Sequence, residues 1–152
     1  IITSQKMNST DTNVGGWKDS EMRTYINSTI YNALPSDLQN VIVSTKVISG
    51  HGSTSGETNF TSTDKLYLLS TKEVYGKATK DTVDTETKQL DYYKNQGVTA
   101  SSYAGAIKNS TWWLRSASSH NAIGFLNVYF DGGWFSGFAG NSSGVSPAFR
   151  IA

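Results

Sequence analysis

At 152 residues the chain can enclose one hydrophobic core and no more. With no cysteine it has no disulfide, no zinc–thiolate site and no thiol nucleophile. A formal net charge of +1 suggests no nucleic-acid or anionic-membrane partner, and no apolar run approaches the length of a membrane span.

Ser and Thr supply about a quarter of the residues, a composition that suits a surface protein. The chain starts at Ile1 rather than Met and shows no signal-peptide pattern, so it reads as an excised domain or processed product of a larger surface protein. In order, Ile1 to Val14 is polar and rich in Ser, Thr and Asn, a lead-in strand or linker. Gly15-Gly16-Trp17 then breaks into a helix capped by Asp19 or Ser20. Met22, Tyr25, Ile26, Ile30 and Ala33 fall at helical spacing on it, with Arg23 and Asn27 off the stripe. Leu34-Pro35 ends this helix, and Pro35 opens a second, short one through Leu38 and Val41.

Ile42 to Ile48 alternates apolar with small or polar residues, a strand followed by a long loop from Ser49 to Asp64. Lys65 to Leu69 is a short apolar run that predicts a buried strand. Ser70-Thr71-Lys72-Glu73 matches a capping box, with a helical turn through Val74 and Tyr75. Lys77 to Lys88 is almost free of apolar residues and reads as a solvated loop or insertion. Leu90, Tyr92 and Tyr93 start one more helix, closed by Gly97, and Val98 to Ser110 leads on to Trp112. The sum is an α+β domain spanning 1–152, with two N-terminal helices, a small mostly antiparallel sheet and long C-terminal loops.

The chain is organised around its last forty residues. Two strand-like bookends, Trp112-Trp113-Leu114-Arg115-Ser116 and Gly144-Val145-Ser146-Pro147-Ala148-Phe149-Arg150-Ile151, enclose a run of Ser, Asn, Gly and aromatics. That density of Gly, Asn and Ser predicts turns and loops. Aromatics on such loops make a binding surface, because rigid rings give contact area at low entropic cost. From Ser116 to Ala152 there is no Lys, Glu, Gln or Met, although those types supply 20 of the first 115 residues. With uniform composition that gap has a chance on the order of one in a thousand. A glycine-rich β region, which disfavours Lys and Glu, is one explanation. Randomisation of both adenines of an Asn codon is another, since the codons so reached exclude Lys, Glu, Gln, Met and Trp. Every residue from Ser118 to Ser143 except Trp134 lies in the accessible set.

On these bookends and the run between them, the chain resembles the variable region of proteins diversified by bacterial and phage diversity-generating retroelements. Gly16-Trp17-Lys18-Asp19-Ser20-Glu21-Met22-Arg23 and Leu66-Tyr67-Leu68-Leu69-Ser70 are similar to the upstream parts of such surface domains. The resemblance implies a C-type-lectin-like fold, in the branch related to formylglycine-generating enzymes, with a variable region at about 112–152. It implies a receptor or adhesin on a bacterial cell surface, outside the cell or on a phage particle. Its ligand is a protein or glycan on another cell or surface. The enzymes nearest in fold use cysteine chemistry or copper held by thiolates, so their activity does not carry over to a chain without cysteine.

The residues that would contact ligand are His120, Ala122, Ile123, Phe125, Leu126, Tyr129, Phe130, Phe135, Ser136, Gly137, Phe138 and Gly140. So many rings on one monomer mark an interaction site, and in the adjacent pairs Phe125-Leu126 and Tyr129-Phe130 one member of each must face away from the core on a strand. Trp134, beyond the reach of adenine randomisation, is assigned to scaffold, with Asn127, Val128, Asp131, Gly132 and Ala139 as further scaffold positions. Trp112 and Trp113 are read as structural. Arg115 and Arg150 are either held together by pairing of the bookends or, the favoured reading, separate structural ion-pair residues.

No catalytic residue, metal or cofactor is expected. His120 lacks a second His or a Cys at ligand spacing, and Asp131-Gly132-Gly133 reads as a turn rather than a calcium loop. Two rival readings stand beside the diversified receptor. One is an undiversified surface module of the same fold that binds carbohydrate or protein. The other is a hydrolase built on His51 with Ser53, Glu57 and Asp64, whose spacing is not diagnostic.

Overall fold

The computed structural model describes residues 1–53 and 58–152. The polar lead-in forms β1 (Thr3–Lys6). After the Gly15-Gly16 turn, Ser20 caps α1 (Glu21–Tyr25), its hydroxyl accepting from the Arg23 amide. The helix widens into a π turn over Ile26–Ile30, with the Tyr31 amide reaching back to the Ile26 carbonyl, and continues as α2 (Tyr31–Ala33). Met22 and Ile26 are wholly buried and Tyr25 and Ile30 pack against them, whereas Ala33 is exposed. Pro35 precedes α3 (Ser36–Val41).

The predicted strand over Ile42–Ile48 divides into β2 (Ile42–Val43) and β3 (Thr45–Ser49). The expected loop from Ser49 to Asp64 is shorter, because Phe60–Asp64 forms β4 and pairs antiparallel with β3. Its Thr and Phe residues suit a half-buried ladder. Lys65–Leu69 is buried as expected from Leu66 onward but forms no ladder strand. Its backbone is satisfied piecewise. The Asn27 carboxamide bonds Lys65 and Leu66, Tyr67 exchanges bonds with Ala148, and Arg115 takes the carbonyls of Leu68 and Leu69.

Ser70 and Glu73 form the capping box of α4 (Thr71–Tyr75), which ends at Gly76 in the left-handed conformation. Lys77–Lys88 has no regular element, but it is not simply solvated, since Thr79 and Asp81 are buried. Next come α5 (Asp91–Asn95) and a 3₁₀ turn at Ala104–Ala106.

The C-terminal stretch departs most from expectation. Beside β5 (Trp112–Ala117), the run expected to be loops contains β6 (Gly124–Val128), β7 (Trp134–Phe138) and β8 (Ser142–Val145), followed by β9 (Arg150–Ile151). The main sheet has the order β1-β8-β5-β6-β7, antiparallel except for the β5–β8 contact. The bookends do not pair with each other as full strands, for β9 pairs with β2. Every residue of β5 and β6 is buried, so both faces of the sheet's centre are covered. Trp112 stacks on Tyr93 of α5 at 6.5 Å, and the Trp113 indole donates to the Gln5 carbonyl. The expected α+β class is the observed one.

Candidate functional site

The hairpin joining β6 to β7 is built to hold its tip still. The Tyr129 amide donates to the Gly133 carbonyl at 2.7 Å, Gly132 donates back to Tyr129, and the Asp131 carboxylate accepts from the Gly133 amide. Gly132 has φ +89°, and a Cβ there would lie 2.1 Å from the Tyr103 carbonyl oxygen, so no other residue fits. The Tyr75 hydroxyl donates to the Gly132 carbonyl at 2.7 Å. Burial pushes that phenol far above its usual range, keeping it a neutral donor.

On this pinned turn Tyr129, Phe130 and Phe135 are 44%, 63% and 51% exposed. Tyr129 touches both of the others, with ring centroids 5.1 Å apart for Tyr129–Phe130 and 5.3 Å for the stacked Tyr129–Phe135 pair. A shallow cavity of about 230 Å³ lies beside them, lined by Tyr103, Asp131 and Trp134 among others. At the other end of β7, Phe138 is half exposed opposite Gly124, and His120, Ala122 and Ile123 are exposed on the preceding loop.

Two of the twelve expected contact residues are corrected. Phe125 and Leu126 are fully buried. The expectation that one of them faces outward holds for a sheet covered on one side, and β6 is covered on both. Ser136, Gly137 and Gly140 are partly buried. A Cβ at Gly137 would come within 2.8 Å of the Asn127 carboxamide nitrogen and 3.2 Å of the Trp113 ring, so this glycine permits close packing. Trp134 packs against the core edge with the Lys80 ammonium 5.5 Å from its ring, in keeping with a scaffold role, and Asn127, Val128 and Ala139 are buried.

Sequence reasoning missed Asn13. Its side-chain amide donates to the carbonyls of Ser118, Asn121 and Gly124 at 2.8–3.1 Å, and its backbone amide donates to Ala122. One buried residue thus organises the loop that carries His120, Ala122 and Ile123. The partners lie more than a hundred positions away, so no local pattern could signal them. Asp11 does the same on a smaller scale, accepting from the Gly140 amide. Replacing Asn13 by Asp keeps the shape and removes the donor, leaving a carboxylate facing three carbonyls. The expected loss in urea unfolding at pH 7 is about 2 kcal/mol.

The remaining candidates separate cleanly. Asp64 is consumed structurally, accepting from the Trp17 indole, the Ser62 hydroxyl and the Arg23 guanidinium, so it does not serve His51. Glu57 of that rival set lies outside the described residues. Arg115 is a structural ion-pair residue, buried against Glu73. It and Arg150 line a separate concavity of about 450 Å³ together with Lys46, Tyr67 and Glu86, a lining of mixed charge.

Asp81 is the buried acid of the 77–88 segment. Its Oδ1 accepts from the Thr71 hydroxyl and the Thr79 amide, each at 2.7 Å. Burial pushes the carboxyl up, against hydrogen bonds from Ser116, Thr71 and Thr79 and the charge of Arg115. A raised folded pKa contributes stability that is complete below the unfolded value and is lost as pH rises through the folded one. Asp81→Asn keeps the acceptor and cannot ionise. The variant's thermal midpoint should therefore gain on the wild type as pH rises from about 4 towards 7, and a constant difference would show that Asp81 does not titrate there.

Fold and surface together define a small α+β domain whose main sheet presents an aromatic rim. The chain belongs to the DUF6273 family, a domain of unknown function, whose model matches residues 1–152. No curated protein and no solved structure matches it.

Proposed function

We propose that the chain is a ligand-binding domain of a bacterial or phage surface receptor or adhesin, of C-type-lectin-like fold, and that a retroelement diversifies its binding surface. The observation that carries the reading is the contiguous exposed cluster of Tyr129, Phe130 and Phe135 on a hydrogen-bonded hairpin. Three rings in contact with solvent and joined through Tyr129 are an unfavourable surface for a monomer and a favourable anchor for a partner. Binding proceeds by shape complementarity around these anchors, with no bond chemistry and no cofactor. Ser136 and Phe138 extend the surface along β7, and His120, Ala122 and Ile123 extend it on the loop that precedes β6. Phe125 and Leu126 leave the contact set and join the scaffold.

The test is to sequence the DNA flanking the coding region for Trp112 to Ala152. The reading expects a near-copy that differs only where it carries adenines, close to a reverse-transcriptase gene. The differences should fall on codons for exposed residues and spare those for Phe125, Leu126, Val128 and Trp134. No copy, or one differing at other bases, overturns diversification and leaves an undiversified surface module of the same surface chemistry.

A further inference from the structure

We propose that β7 is a homodimerisation edge, pairing antiparallel with β7 of a second copy about a two-fold axis through Ser136. The strand is one edge of the five-stranded sheet. Bonds from Tyr129 to Gly133 and from Ala139 to Ile123 fix the hydrogen-bond parity of the β6–β7 ladder. Odd-numbered residues of β7 face β6, and the backbone groups of Trp134, Ser136 and Phe138 point to the open side. Among the described residues, nothing outside that ladder bonds the backbone of Trp134 or Ser136, and Phe138 engages only its carbonyl, with the Asn141 amide.

Soluble proteins protect such edges with charge, proline or bulges. The opposite edge, β1, carries Lys6, whereas β7 reads Trp-Phe-Ser-Gly-Phe, with neither charge nor proline.

The second copy is favoured over other occupants because the strand complements itself. With Ser136 opposite Ser136 of the other copy, Trp134 falls opposite Phe138 and Phe135 opposite Gly137. The first is an aromatic cross-strand pair, and the second lays a ring over a glycine, two arrangements that stabilise antiparallel strands. Trp134–Phe138 and Ser136–Ser136 take the hydrogen-bonded positions, matching the outward groups. The two half-exposed rings of the strand, Phe135 and Phe138, each gain a partner. No charge in the strand meets its own copy across the axis. Tyr129 and Phe130 remain outside the ladder. The pairing brings the hairpin end of one copy beside the His120–Ile123 end of the other, so the aromatic surface runs across the dimer.

Sedimentation equilibrium on the purified 152-residue chain, without any ligand, tests the dimer independently of the binding reading. The expected result is a concentration-dependent mass approaching twice the 16.5 kDa of one chain. Ser136→Pro removes the central outward amide where an edge strand tolerates proline, and should weaken association roughly tenfold or more. Ser136→Lys and Ser136→Glu place like charges opposite one another. Each should be monomeric alone, and a mixture of the two should restore the dimer, with circular dichroism showing all variants folded. A monomer up to about millimolar concentration, or a dimer indifferent to the Lys and Glu variants, overturns the proposal.

Discussion

Arg115→Ala is expected to lower the unfolding free energy by about 3–5 kcal/mol, the range for removing one partner of a buried ion pair. The guanidinium is 4% exposed and the Glu73 side chain 12%. Its Nε and one terminal nitrogen donate to the Ile48 carbonyl at 3.1 and 3.0 Å. The other donates to the Leu68 carbonyl at 2.8 Å and to Glu73 Oε1. Glu73 in turn accepts the Ser70 amide and closes the capping box of α4. Truncation therefore strands a carboxylate that keeps only one donor and leaves two interior carbonyls bare. It also unties β5 from the end of β3, from the Leu66–Leu69 segment and from the start of α4. Arg115→Lys should recover only part of the loss, because one ammonium lacks the planar fork that reaches three acceptors. Pairing Arg115→Met with Glu73→Gln should cost less than Arg115→Ala alone, since no charge is left behind. Guanidinium unfolding followed by tryptophan fluorescence measures all three, with Trp17, Trp112 and Trp113 fully buried as reporters. A loss under about 1 kcal/mol for Arg115→Ala would place the pair in solvent-like surroundings instead.

The parts of the fold that sequence made legible are those fixed by neighbours in the chain. Ser70 to Glu73 is a capping box because the two side chains satisfy amides three positions apart, and Gly97 closes α5 because its φ is +73°. The Asp131-Gly132-Gly133 turn was legible for the same reason, but of the Tyr129-Phe130 pair ahead of it one outward member was expected and both are exposed. The strands β6 and β7 inside the run read as loops were not legible. Gly124 and Gly137 read as loop punctuation, yet each sits in a ladder where a Cβ would strike a neighbour at 2.8 Å. Glycine there serves contact between strands, and that contact belongs to the tertiary structure. Asn13 and Asp11 act across more than a hundred residues, and Arg115 across more than forty to Leu68 and Glu73. Their roles exist only once the chain has closed.

Two phenylalanines thirteen positions apart by way of the hairpin should respond very differently to truncation. Phe125→Ala removes a ring with no exposure from a central strand, and should cost about 3–5 kcal/mol through lost burial and the cavity left behind. The site cannot collapse easily, for Gly137 and Ala117 flank Phe125 in the ladder and neither can fill the space. Phe138→Ala, at the half-exposed far end of β7, removes less buried area and should stay below about 1 kcal/mol. Denaturant unfolding of both variants decides the matter. Two small losses would mean that the ring at 125 reaches solvent and would return Phe125 to the contact surface, whereas two large ones would mean that the ring at 138 is buried and would remove Phe138 from it. The expected contrast also sharpens the genetic test. A position whose truncation removes a large share of a stability of about 5–15 kcal/mol cannot sample fifteen-fold chemistry and stay folded, so the near-copy should carry no adenine at the first two bases of the Phe125 codon.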